Sequence, residues 1–171
     1  VQACWRALRE RVPGRMTVAG DSAGGNLALV LMQRLRHAGE ALPDAAVLFS
    51  PACDLTGASA SLTLNRERDP MFDGAQLEHL AKGSPPLGGR AGLPPLQVFV
   101  GRDEVMRDDA LRLATAAALA DVDVDLQVLD DVPHDWPLIH RLPESRRTLA
   151  QAARHLLQAA PRTGPETLDV V

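Results

Sequence analysis

The 171-residue chain predicts an α/β architecture, a parallel sheet of about four strands flanked by helices. Apolar strand-like segments alternate with helix-like segments four times, which is the pattern of a right-handed parallel layer structure. Residues 45–50, AAVLFS, form a continuous apolar run of the kind found where both faces of a sheet are covered. A chain of this length forms one domain that buries roughly 70% of its unfolded surface, so a core needs no covalent staples.

The elements follow in order. Residues 2–11 carry Ala3, Trp5, Ala7 and Leu8 among arginines and a glutamate, a short amphipathic helix packed on one face and halted by Pro13 and Gly14. Residues 16–19 read as a short apolar strand. Residues 26–37 read as a helix apolar almost all round, with Arg34, Arg36 and His37 in its last turn and Gly39 as a stop, and such a helix belongs against a sheet. Pro51 ends the strand at 45–50. From there the chain turns polar and rich in Pro and Gly, so residues 52–92 read as loop, with one helical patch near 75–81. Residues 96–101, LQVFVG, are the next strand, and 107–120 a helix with Asp108 and Asp109 in the first turn, where carboxylates suit the macrodipole. Residues 124–129 alternate apolar with polar, as an edge or half-exposed strand does. A last amphipathic helix over 143–159 presents Leu149, Ala152, Ala153, Leu156 and Leu157, and the tail from residue 161 is expected to fray.

Composition excludes several function classes. The formal net charge is -4 and the basic residues are scattered, which leaves no electrostatic footprint for nucleic acid. The apolar run at 27–32 is too short to span a bilayer, and the N-terminus lacks the ordered regions of a signal peptide, so the expectation is a cytoplasmic protein with no membrane partner. Cys4 and Cys53 lack metal-ligand spacing and read as ordinary buried thiols, and His37, His79, His140 and His155 have no i, i+4 partner. No metal and no cofactor is expected.

The stretch TVAGDSAGGNLAL at 17–29 carries the chemistry. It places Ser22 at the centre of a Gly-x-Ser-x-Gly run between the strand at 16–19 and the helix at 26–37, the context that a nucleophile elbow demands. Gly20 and Gly24 are the small neighbours that let the chain pass close on either side. Ala23 supplies a backbone N–H facing a developing oxyanion, and the positive end of the helix points at the same spot. A serine hydroxyl needs a histidine to take its proton, and the imidazole needs a carboxylate to fix its tautomer. His134, in DDVPHDW after the last strand, is the expected base. The acid belongs after LQVFVG, where Asp103 and Glu104 both stand. Asp130, Asp131 and Asp135 read as loop caps too close along the chain to reach the imidazole, and Asp21 as a local hydrogen-bonding residue.

Gly20-Asp21-Ser22-Ala23-Gly24-Gly25-Asn26 resembles the GDSAGG box of the hormone-sensitive-lipase-like esterases, a branch of the α/β-hydrolases. LFSPACDLTG at 48–57, RDPMF at 68–72, GLPPLQVFVGRDEVMRDDA at 92–110 and VPHDW at 132–136 resemble that family's segments in its order. The resemblance covers the back half of such an enzyme and implies a partial α/β-hydrolase fold, with residues 1–171 as the C-terminal portion of one domain and 52–92 as loop and lid. It implies a carboxylesterase acting on short-chain acyl esters through an acyl-enzyme, with Ser22, Glu104 and His134 as triad and Asp103 as the alternative acid. The family pattern acid-x-Leu-x-Asp-Glu, laid on residues 104–109, is what puts the acid at Glu104.

Two departures matter. The family's His-Gly-Gly-Gly oxyanion loop has no counterpart in residues 1–19, and the segment between Pro70 and Leu93 is shorter than usual. The alternative expectation is therefore a catalytically impaired half-domain that acts, if at all, by pairing with another chain, including a second copy through exposed strand edges.

Overall fold

The computed structural model describes residues 1–54, 57, 59–72 and 89–159. Four strands, β1 (Val18–Asp21), β2 (Ala46–Phe49), β3 (Leu96–Gly101) and β4 (Val124–Leu129), form one sheet in the order of the chain. All three pairings are parallel, with Gly20 opposite Leu48, Leu48 opposite Val98, and Val98 opposite Leu126. Every strand therefore ends on the same rim, where open α/β sheets place their sites. This is a parallel α/β layer structure, the architecture that strand and helix alternation predicts.

Helices cover both faces. The side chains of Ala46, Leu48, Leu96, Val98 and Val100 meet Ala28, Leu29 and Met32 of α2 (Ala23–His37) and Ala110, Leu113 and Ala117 of α4 (Arg107–Ala118). On the other face Val47 and Phe99 meet Trp136, in the 3-10 turn Trp136–Leu138, and Ala152 of α5 (Pro143–Gln158). The period-2 alternation along β2 and β3 thus loads both faces. Helix α1 (Gln2–Arg11) lies outside, against α2, through Trp5 on Leu31 and Leu35.

Several boundaries and faces differ from expectation. Strand β1 runs two residues later than 16–19, because Gly20 and Asp21, poor strand formers in isolation, are paired to Leu48 and Phe49. Helix α2 starts at Ala23 and is not uniformly covered, since Leu27 is half exposed. The buried face of α5 is Ser145, Thr148 and Ala152, while Leu149 and Leu157 are exposed. Two hydrogen bonds rotate it: Trp136 Nε1 donates to Thr148 Oγ1 at 3.1 Å and Ser145 Oγ to the Trp136 carbonyl at 2.5 Å. Cys4 is exposed rather than buried, because α1 buries only Trp5. Within 52–92 a short helix α3 (Ser61–Leu64) was not expected, and the patch at 75–81 lies outside the described residues.

No helix among the described residues is long and apolar enough to cross a membrane. None of their His, Cys, Asp and Glu side chains form a group of three able to hold a metal ion.

Candidate active site

Ser22 sits at the junction of β1 and α2 with φ 48° and ψ −115°, a backbone conformation that an L-residue adopts at a cost of about 1–3 kcal/mol. The surroundings over-determine it. Its N–H donates to the Phe49 carbonyl at 2.9 Å, and its own carbonyl accepts from Gly25, Asn26 and Ala52 at 3.1, 3.3 and 3.1 Å. Asn26 Nδ2 donates to the Ala52 carbonyl at 2.8 Å, tying the chain after β2 to the elbow.

The glycines that make the turn passable are Gly20 and Gly25. A Cβ on Gly20 would lie 2.3 Å from the Gly24 carbonyl oxygen, and one on Gly25 would lie 2.7 Å from Pro51 Cβ. Gly24, expected to be essential, would place a Cβ no closer than 3.6 Å to anything, an ordinary contact. Ala23, the first residue of α2, has no backbone partner for its N–H among the described residues, so the donor is free at the elbow.

Glu104 and His134 are brought together by the loops after β3 and β4. His134 Nδ1 and Glu104 Oε2 are 2.7 Å apart and both side chains are buried. The other carboxylate oxygen, Oε1, accepts from the Gly101 N–H at 2.5 Å and from Ser50 Oγ at 2.8 Å. Gly101 has to be a glycine here, because a Cβ would lie 2.8 Å from the Val132 carbonyl oxygen and 2.9 Å from that same Oε1. Asn65 Nδ2 donates to the carbonyls of Arg102 and Glu104, and Asp69 Oδ2 accepts the Val105 N–H at 3.0 Å. Asp69 Oδ1 holds the N–H groups of Met71 and Phe72, and the Phe72 ring stands edge-on to the His134 ring at 4.6 Å. Asp103, the alternative acid, faces outward toward Arg68 at 3.5 Å and does not meet the imidazole.

Asp135 departs from expectation. Its backbone is left-handed at φ 52°, which turns its carboxylate back so that Oδ2 lies 3.1 Å from His134 Nε2. The contact is an ion pair rather than a well-directed hydrogen bond, since buried Nε2 has no aligned partner. Sequence proximity had argued against any such reach, and one left-handed residue supplies it. Asp21 makes no side-chain hydrogen bond among the described residues, contrary to expectation.

Burial disfavours charge on the imidazole, but Asp135 and Glu104, one at each ring nitrogen, outweigh it and raise the His134 pKa to about 9. Burial raises the Glu104 pKa, opposed by His134, the Gly101 N–H and Ser50. With Glu104 at Nδ1, a neutral imidazole presents Nε2 as its basic nitrogen. Among the described residues no hydrogen bond joins Ser22 to His134; the two stand on one rim with Nε2 turned to Asp135. Catalytic hydrogen bonds are often loose before substrate binds. A pocket of about 140 Å³ opens beside β1, lined by Asp21, Phe49, Asp135, Leu138 and Leu149, next to this rim but smaller than a usual ligand site.

The residues that sequence reasoning missed are Ser50, Asn65, Asp69, Gly25 and Asp135. RDPMF at 68–72 and the last glycine of GDSAGG carried a signal for two of them. Nothing in the sequence marks Ser50 beyond its position before Pro51.

A parallel sheet with a strained serine at a strand-to-helix turn and a carboxylate–imidazole pair on the same rim defines an α/β-hydrolase. The chain belongs to the alpha/beta hydrolase fold family, whose profile matches residues 2–138, and to its hormone-sensitive-lipase-like esterase branch. It is 40% identical to an acetyl-hydrolase of Streptomyces hygroscopicus, over 92% of this chain and 58% of that protein. Similarity to an esterase of Acinetobacter venetianus is 32% identity over 82% of this chain and 51% of that protein. A crystal structure of an esterase from the bacterial hormone-sensitive lipase family superposes with a TM-score of 0.81 at 35% identity, covering 92% of this chain and 57% of that one. The chain thus spans a little over half the length of these relatives.

Proposed function

We propose that this chain carries the nucleophile, acid and base of a carboxylic ester hydrolase acting on short-chain acyl esters, as part of a single α/β-hydrolase domain. The observation that carries the reading is the strained Ser22 on the same rim as the buried Glu104–His134 pair. Esterases and an acetyl-hydrolase among the relatives support an ester as the small-molecule substrate.

In this reading Ser22 Oγ attacks the ester carbonyl carbon and its proton passes to His134 Nε2. Glu104 accepts the Nδ1–H bond throughout and stabilises the imidazolium. The carbonyl oxygen becomes an oxyanion facing the Ala23 N–H and the start of α2. Collapse breaks the bond to the alcohol, which leaves with the proton from Nε2, and an acyl group remains on Ser22. Water, deprotonated by the same nitrogen, then releases the acid and restores the serine. Asp135 must give way at Nε2 for the first proton transfer.

The test is hydrolysis of p-nitrophenyl acetate by the wild-type chain and Ser22→Ala. Weak turnover abolished by the substitution supports the reading, and turnover that survives it refutes the nucleophile. A second reading, an impaired half-domain working through another chain, draws on two observations: β1 is an outer strand of the sheet, and Ser22 is not bonded to His134. It gains if wild type and Ser22→Ala are equally inert while the chain self-associates.

A further inference from the structure

Ser50 follows β2 and is fully buried, yet its backbone is left-handed at φ 42°. Such strain in a non-glycine residue persists only where neighbours hold it, and it concentrates at functional sites. Its N–H donates to the Phe99 carbonyl at 2.7 Å, which fixes the backbone against β3. Its hydroxyl has one donor and two acceptor positions. The donor goes to Glu104 Oε1 at 2.8 Å, and the oxygen accepts the Asp135 N–H at 3.1 Å. That N–H belongs to the peptide following His134, so a single hydroxyl grips both the carboxylate and the backbone of the histidine.

We propose that Ser50 is a positioning residue of the site, whose hydroxyl holds the Glu104 carboxylate and the His134 loop in the one alignment that joins Oε2 to Nδ1. The inference rests on the triad reading above for its functional meaning, and on geometry alone for its structural content. With Ser50 and Gly101 both on Oε1, the carboxylate cannot rotate and Oε2 is left for the imidazole. Hydrogen bonds to a buried ion are about twice as strong as neutral ones, and removing one leaves the others to hold the same charge. Removing the hydroxyl also strips the Asp135 N–H of its acceptor, so the loops after β3 and β4 lose their common tie. Ser50 reaches neither Ser22 nor the elbow through its side chain, so its effect on chemistry passes through Glu104 and His134.

The experiment uses the whole chain and reads the far-downfield NMR resonance of the His134 Nδ1–H proton, identified by its absence in His134→Gln. Ser50→Ala removes the hydroxyl and keeps the strain. Ser50→Gly removes both and relieves the left-handed backbone, so it folds even where the alanine variant is unstable. The resonance is expected in wild type and lost to solvent exchange in both variants while the amide spectrum stays that of a folded protein. Where ester turnover is measurable, kcat falls at least about tenfold with KM unchanged, as for an interaction that substrate does not touch. Retention of the resonance in either folded variant overturns the proposal, as does its absence in wild type. Loss of the folded spectrum in Ser50→Gly overturns it in favour of a purely structural role. The readout does not involve Ser22, so a failed nucleophile and a failed positioning role give different results.

Discussion

At the scale of single residues, the imidazole of His134 lies between two carboxylates, and its charge state follows. The folded pKa of about 9 lies above the ordinary 6.5, so the interaction stabilises the fold in full below pH 6.5 and is lost as pH rises through about 9. The melting temperature is therefore expected to fall over that window, and turnover to rise over it as Nε2 loses its proton. Asp135→Asn removes one partner and should move the His134 titration, read by NMR, to lower pH; an unchanged midpoint would mean that the ring does not feel Asp135. Of the two candidate acids, Glu104→Gln is expected to cost several orders of magnitude in turnover and Asp103→Asn little, because only Glu104 touches the imidazole. Comparable small losses would remove Glu104 from the role. The glycines offer a test independent of activity. Gly25→Ala should destabilise by about 1–3 kcal/mol through its clash with Pro51, and Gly24→Ala should be nearly silent, as denaturant melts would report.

Between elements, the carboxylates of Asp69, Asp108 and Asp109 fasten the segment after β2 to the start of α4. Asp109 accepts from the Asp54 N–H, Asp108 from the Ser61 N–H, and Asp69 from Val105 on one side and Phe72 on the other. Asp108 and Asp109 read in the sequence as macrodipole complements, but their carboxylates are also bonded to a distant loop, a role that no local pattern announces. Asp69→Ala strands three backbone N–H groups and should cost about 1–3 kcal/mol per group left buried, with the Phe72 ring withdrawn from His134. A melting temperature equal to wild type would refute this. Element legibility varied for identifiable reasons. Strand β4 was readable to its bounds, since residues 124–128 alternate apolar with polar as a half-exposed strand does. Strand β1 was misplaced because pairing overrode the weak propensity of Gly20 and Asp21, and the face of α5 because two side-chain hydrogen bonds to Trp136 overrode an apolar stripe. Motif and order make Ser22, Glu104 and His134 candidates, and the contact of the last two is observed, whereas Ser50 and Asp69 make contacts 54 and 36 residues away in sequence.

For the molecule as a whole, β1 is an outer strand with Ala19 and Asp21 exposed, and an uncovered strand edge is a template for another chain. Self-association is expected to grow with concentration; light scattering that reports a clean monomer at high concentration would count against it. The donors that residues 1–171 would offer an oxyanion are the Ala23 N–H and the start of α2, and loss of one such donor costs about 10²–10³ in turnover. The order of the sheet has one more consequence. Ser22, Ser50, Glu104 and His134 each follow a different strand, so no sub-structure smaller than the four-stranded sheet contains the site. Strand β4 is an outer strand and only partly covered, whereas β3 is wholly buried. Partial opening of the native state is therefore expected to detach the loop of His134 first, with amide protons of β4 exchanging well before those of Val98 and Val100. A protein population that still scores as folded would then include molecules in which the rim that carries Ser22 has, for that moment, lost His134.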